Sequence, residues 1–165
     1  MERTARVRGR TAGAWRVAEP SARRATPRDL WNRHGDSAYV LACALLDSEP
    51  AVAEAVWCAM VDLAGTRDVP SHSEARRVLA GSVYRRAQEL PDRSADAPPL
   101  PRAMVWLSQL ARLQRASLAL CVHGGLTHRE AAVLLDVPPD TVADLLTTGL
   151  RELSRLAAAD AAPCA

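Results

Sequence analysis

Apolar positions along the 165-residue chain recur at spacings of three and four, and no segment alternates with period two for long enough to make a strand. A first helix is predicted from Thr26-Pro27-Arg28-Asp29. Thr caps it, Pro suits the first helical position, and Asp lies at the positive end of the helix dipole. It runs to about Leu46, with Leu30, Ala38, Leu41 and Leu45 on one side and Gly35 marking a break. Asp47-Ser48-Glu49-Pro50 reads as a turn that opens a second helix, in which Val52, Val56, Ala59, Met60 and Leu63 recur until Gly65 supplies the stop. Ser71-His72-Ser73-Glu74 is a capping box, and the helix behind it carries Ala75, Val78, Leu79, Val83 and Leu90 along one stripe.

Four prolines fall between Pro91 and Pro101. Each removes a backbone N–H, so neither helix nor sheet survives there and a semi-extended linker is predicted. Beyond it one amphipathic helix is expected from Arg102 to Val122, through Val105, Leu107, Leu110, Leu113, Leu118 and Cys121, ended by Gly124-Gly125. Residues 1–25 and 159–165 read as disordered tails, the first of them basic. The fold class is therefore all-α, with two small helical domains, 26–90 and 102–158, joined by a Pro-rich linker over 91–101.

The most informative local pattern is residues 128–147. A helix-turn-helix needs a small residue where its helices cross, a turn residue tolerant of positive φ, and apolar residues that lock the second helix. Ala132 stands at the crossing, and Asp136, four residues on, is one of the few types that enter the left-handed region. Val137, Val142, Leu145 and Leu146 supply the inner face, and Leu150 and Leu153 extend it. Thr127-His128-Arg129-Glu130 is a second capping box, and Asp140-Thr141 is expected to cap the second helix. The bland alternative is an ordinary α-hairpin with a Pro-Pro turn.

Residues 107–153 resemble region 4 of the extracytoplasmic-function sigma factors of the sigma-70 family. They share a Leu-rich helix with Gln114-Arg115, then Gly125-Leu126-Thr127, a Glu130-x-Ala132 step, Val137-Pro138, Thr141-Val142 and Gly149-Leu150. Residues 30–63 resemble the opening helices of region 2, and 78–90 the helix that reads the promoter −10 element. The resemblance implies a non-enzymatic transcription regulator, with core RNA polymerase and promoter DNA as partners and an antagonist anti-sigma protein as a further one. Region 2 would dock on polymerase and help melt the −10 element, and region 4 would set its second helix in the −35 major groove.

Carried over residue by residue, the resemblance makes Arg85, Arg86, Arg129, Thr141, Thr147, Thr148 and Arg151 the candidate DNA contacts, with Tyr84 a stacking ring beside the first pair. Trp57 and Met60 are the candidate polymerase contacts. The sequence also departs from the family. Where the docking helix usually carries an acid, a Gln and a Glu, this chain has Ala55, Cys58 and Ala59. Where the recognition helix usually carries Lys, Ser or Thr, and Arg, it has Ala143, Asp144 and Leu145. A second reading follows: an interaction protein that keeps the fold, does not read DNA, and binds another transcription protein.

Charge sharpens that choice. All 21 cations are arginines, and the chain lacks Lys, Ile and Phe, a habit of GC-rich coding rather than a functional choice. The net +2 hides an asymmetry, with +5 over residues 1–36, −4 over 37–70, +1 over 71–101, +3 over 102–120 and −3 over 121–165. Phosphate neutralisation dominates DNA affinity, so three Arg against five acids between 126 and 156 predicts weak binding by that module alone.

Other chemistry is thin. Cys43, Cys58, Cys121 and Cys164 show no CxxC spacing and read as reduced structural thiols. Cys121, His123 and His128 lack a fourth ligand of suitable spacing, so no metal or other cofactor is expected. His34 and His72 are expected to face solvent or to cap. No phosphate loop, nucleophile elbow or carboxylate pair occurs, which argues against an enzyme. The longest apolar run, Ala38 to Leu46, is too short to span a bilayer, and no export signal is recognised, so a cytoplasmic protein is expected.

Overall fold

The computed structural model describes residues 26–66, 71–90 and 102–161, all of whose regular structure is helical. Both tails and the proline linker fall outside the described residues. Helix α1 spans Pro27–Leu45, α2 Glu49–Ala64 and α3 His72–Glu89. Each of the three packs on the other two. Helix α1 opens on a full capping box: Thr26 Oγ1 accepts from the Asp29 N–H at 3.2 Å, and Asp29 Oδ2 accepts from the Thr26 N–H at 3.0 Å. Gly35 does not break the helix. The indole of Trp31 lies over it, 3.1 Å from where a Cβ would stand, so the small residue admits a ring instead of interrupting the turn.

The second half holds α4 at Arg102–Ser108, α5 at Arg112–Leu118, α6 at His128–Leu135 and α7 at Pro139–Ala161, with a π-helical turn over Ala119–His123. The single helix expected over 102–122 is thus two helices and a wide turn. Its apolar stripe is inconsistent with one buried face. Leu107, Leu110 and Leu118 are core residues, while Val105 and Leu113 are over 40% exposed. The chain resolves this at Ser108–Ala111. Short bonds from Gln109 N to Trp106 O and from Leu110 N to Leu107 O close α4, and Ala111 turns extended to start α5. The π turn ends with Gly124 N–H on Ala119 O at 3.0 Å and Leu126 N–H on Leu120 O at 3.1 Å, through Gly125 at φ +69°. Gly124 has to be small: a Cβ there would stand 3.1 Å from Ala80 Cβ and 2.5 Å from Leu120 O.

One continuous buried cluster runs through both halves, from Leu41, Val52, Val56, Met60 and Val83 to Leu118, Leu120 and Val142. Helix α1 is the shared element, touching α4, α5 and the π turn as well as α2 and α3. Polar contacts bridge the same seam. Arg115 on α5 forks onto Asp47 at 2.7 and 3.1 Å, and its Nε also donates to Ala44 O. Arg77 on α3 meets Glu130 on α6 at 3.0 Å, and Arg112 donates to Gln88 Oε1 at 2.9 Å.

Candidate nucleic-acid interface

Residues 128–147, expected to form a helix-turn-helix, fall on α6 and the start of α7, two helices joined by a short turn. Thr127 Oγ1 accepts from the Glu130 N–H at 3.2 Å, and Glu130 Oε2 accepts from the Thr127 N–H at 2.8 Å. Those bonds, with Arg77 behind them, hold the Glu130 carboxyl below the usual carboxylate range. Ala132 is 3% exposed at the crossing, and Asp136 sits at φ 54°, ψ 48°, donating its N–H to Ala132 O as it ends α6. Val142 is fully buried and locks α7. Helix α7 starts earlier than expected, with Pro139 in its first turn, so Asp140 and Thr141 lie inside the helix rather than capping it.

On α7, Thr141, Asp144, Thr147, Thr148 and Arg151 are exposed, and Asp144, Thr148 and Arg151 share one face by their spacing. The threonine hydroxyls are already occupied as donors: Thr147 gives its proton to Ala143 O at 2.9 Å and Thr148 to Asp144 O at 2.8 Å. Thr148 also accepts from Gln114 Nε2 at 3.1 Å. Arg129 and Arg151 are exposed and form no ion pair among the described residues. Along α7, Asp140 and Asp144 precede Arg151, and the next cation on that face, Arg155, is paired with Glu152.

The α3 pair behaves differently. Arg85 is exposed and donates to Ser82 Oγ at 3.1 Å. Arg86 is drawn to Glu89 at 3.0 Å and Asp62 at 3.7 Å, and the hydrogen bond and charge of Glu89 push its pKa up. Tyr84 is half-buried and lines a cleft of about 810 Å³ between the two halves, together with Asp47, Leu110 and Arg115. A ring so placed is committed to packing more than to stacking on a base.

A search of protein-family models finds no match, and no curated protein matches the chain in sequence. Among solved structures, the chain is similar to one described as CnrH in complex with the cytosolic domain of CnrY. The TM-score is 0.60 at 20% identity, over 82% of this chain and 89% of that one. At this identity the likeness is one of fold. The described residues form an all-α fold that resembles the CnrH structure.

Within that fold the two candidate polymerase contacts on α2 separate. Trp57 is 62% exposed, whereas Met60 is 1% exposed and belongs to the core. Met60 offers a partner no surface in this arrangement; its role is to seat α2. Val61 is 44% exposed and lies four residues after Trp57, so the pair forms the apolar patch of α2. Sequence periodicity put Met60 with the core positions, and the same reading points to Val61 as the outward residue.

His72 is exposed as expected, but His34 is not. His34 is 5% exposed, not solvent-facing, and its ring stacks on that of His72 with centroids 4.7 Å apart. Cys43, Cys58 and Cys121 are half-buried free thiols, and burial pushes Cys43 and Cys121 upward, which keeps both protonated at neutral pH. Among the described residues no group of three or more His, Cys, Asp or Glu is arranged to hold a metal, and no helix is long and apolar enough to cross a membrane.

Proposed function

We propose that this chain is a sigma-factor-like transcription regulator that directs RNA polymerase to promoters through a region 2-like unit, residues 26–90, and a helix-turn-helix unit, residues 102–158. The observation that supports this reading is the α6–α7 pair, which we take as a helix-turn-helix. Its turn is closed by Asp136 in the left-handed region, its second helix presents one solvent-facing side, and it sits in a sigma-factor-like fold. Polymerase docking falls to the Trp57–Val61 patch of α2. DNA contact falls to the arginines left open, Arg85, Arg129 and Arg151, with Arg86 available once it exchanges Glu89 and Asp62 for phosphate. The factor supplies binding free energy, and the chemistry remains with its partner enzyme.

A second reading is favoured by a specific feature. Asp140 and Asp144 stand at the start of α7, where they repel phosphates, and the nearby threonine hydroxyls already donate to their own helix. On this reading the chain keeps the fold and binds another transcription protein without reading DNA. An antagonist protein fits either reading, since the structure with the similar fold holds CnrH together with the cytosolic domain of CnrY.

Pull-down with core RNA polymerase, followed by run-off transcription on genomic fragments, separates them. The first reading expects polymerase retention that Trp57→Ala weakens, and discrete transcripts. Retention without transcripts supports the second. No association with polymerase at micromolar protein overturns the first.

A further inference from the structure

The seam between the halves contains a cluster of nitrogen bases with no acid in it. His34 of α1 is buried and stacks on His72, the first residue of α3, and Arg76 one turn later on α3 reaches across to the end of the π turn. There its Nη2 donates to the backbone carbonyl of His123 at 2.9 Å, while its Nε is buried without a hydrogen-bond partner. Its guanidinium lies over Gly125, so close that a Cβ at that position would stand 2.8 Å from Cζ. His34, Ser37, Arg76, His123 and Gly124 line one narrow cleft between α1, α3 and the π turn.

The charges around that cleft all have one sign. Arg33 and Arg76 are permanent cations, and both act on His34, as does His72. The nearest acids in sequence are engaged elsewhere or point away. Asp36 is exposed, two residues from His34 and so off its face; Glu74 is exposed at the start of α3; Glu130 is tied to Thr127 and Arg77. None of the three lines the cleft. The arrangement is stable while the imidazoles are neutral, and each proton added brings a cation to Arg76 with no carboxylate to receive it.

We propose that His34, His72, His123 and Arg76 form a proton-operated latch between α1–α3 and the helices that follow the linker. It is closed when the His34 and His123 imidazoles are neutral and released when they are protonated. Burial first, and then the neighbouring cations, lower the pKa of both His34 and His123. The sign is fixed by that direction. The closed form binds fewer protons than the open one, so its advantage is complete above the ordinary histidine value and is lost as the pH falls through the lowered values. Release frees the π turn from α3 and, with it, the helix-turn-helix that Arg77 and Glu130 tie to the same helix.

The test uses the full chain and needs neither polymerase nor DNA, so it stands or falls apart from the proposed function. Imidazole proton resonances are followed by NMR, amide exchange is measured at Gly124 and Leu126, and far-UV circular dichroism reports helicity. As the pH is lowered from about 7.5 to about 5.5, through the ordinary histidine range, exchange protection at both amides should fall. Helicity should be retained, and His34 and His123 should titrate below the ordinary histidine value. The double variant His34→Gln/His123→Gln should remove the pH dependence. His72→Gln, at an exposed position, should raise the titration point of His34. The latch is overturned if protection and helicity are lost together, if the wild type shows no change in protection, or if His34 and His123 titrate at the ordinary histidine value.

Discussion

Asp136 carries a backbone cost that a glycine in its place would not. Its φ of 54° puts an L side chain in the left-handed region, where Asp is tolerated but still strained. Asp136→Gly should therefore raise stability by about 0.5–1 kcal/mol, read from the urea midpoint at unchanged slope. A lower midpoint would mean that the Asp side chain contributes more than its backbone costs. Gly124 is the opposite case, because its smallness is spent on contact. A methyl there meets Leu120 O at 2.5 Å and Ala80 Cβ at 3.1 Å, and neither is a flexible side-chain end. Gly124→Ala should cost about 1–3 kcal/mol, typical of overpacking, measured by thermal or urea unfolding. A neutral result would show that the π turn can move away from α3 at little cost.

At the scale of elements, the parts legible in the sequence were those whose cause is local. Thr26, Ser71 and Thr127 each accept the backbone N–H three residues on, a bond that the residue type and spacing alone imply. The turn between α6 and α7 was legible for the same reason, since Ala132, Asp136 and Val142 answer to requirements within a dozen residues. The break after Ser108 was not. No Gly or Pro marks it, and it follows from Leu107 and Leu110 being drawn into a core built largely by distant helices. The stacking of His34 on His72 and the grip of Arg115 on Asp47 join positions far apart in the chain, and periodicity carries no information about them. Of the candidate site, residue identity showed which positions were polar but not which were already engaged, as Arg86, Thr147 and Thr148 are.

The exposed face of α7 yields a prediction at this scale. If it approaches a phosphate backbone, Asp144 is its main electrostatic defect. Asp144→Arg should tighten binding to promoter-sized duplex DNA and steepen the log–log salt dependence by about 1, the change expected for one added phosphate contact. Equal affinity and slope in the wild type and the variant, across salt, would remove α7 from the DNA interface and favour the interaction-protein reading.

For the molecule as a whole, the decisive question is whether α1–α3 and α4–α7 are energetically one body. A single buried cluster connects them, and Arg115 is the strongest polar tie across the seam. Its guanidinium is 12% exposed, Asp47 is 23% exposed, and the fork geometry satisfies both carboxylate oxygens while Nε holds the Ala44 carbonyl at the end of α1. Removing the arginine leaves Asp47 half-buried without its cation and a helix-end carbonyl without its donor. Arg115→Ala should thus cost about 2 kcal/mol, below the 3–5 of a fully buried pair because water still reaches this one. Arg115→Lys should fall between, since an ammonium keeps the charge but not the three-bond fork. Calorimetry distinguishes this tie from ordinary stabilisation. The wild type should unfold in one transition with equal calorimetric and van't Hoff enthalpies, and Arg115→Ala should split that transition in two as the halves lose their coupling. A single transition merely shifted to lower temperature would place the coupling in the apolar seam around Leu41 and Leu120 instead, and would make the Arg115–Asp47 pair a local support of the α1–α2 turn.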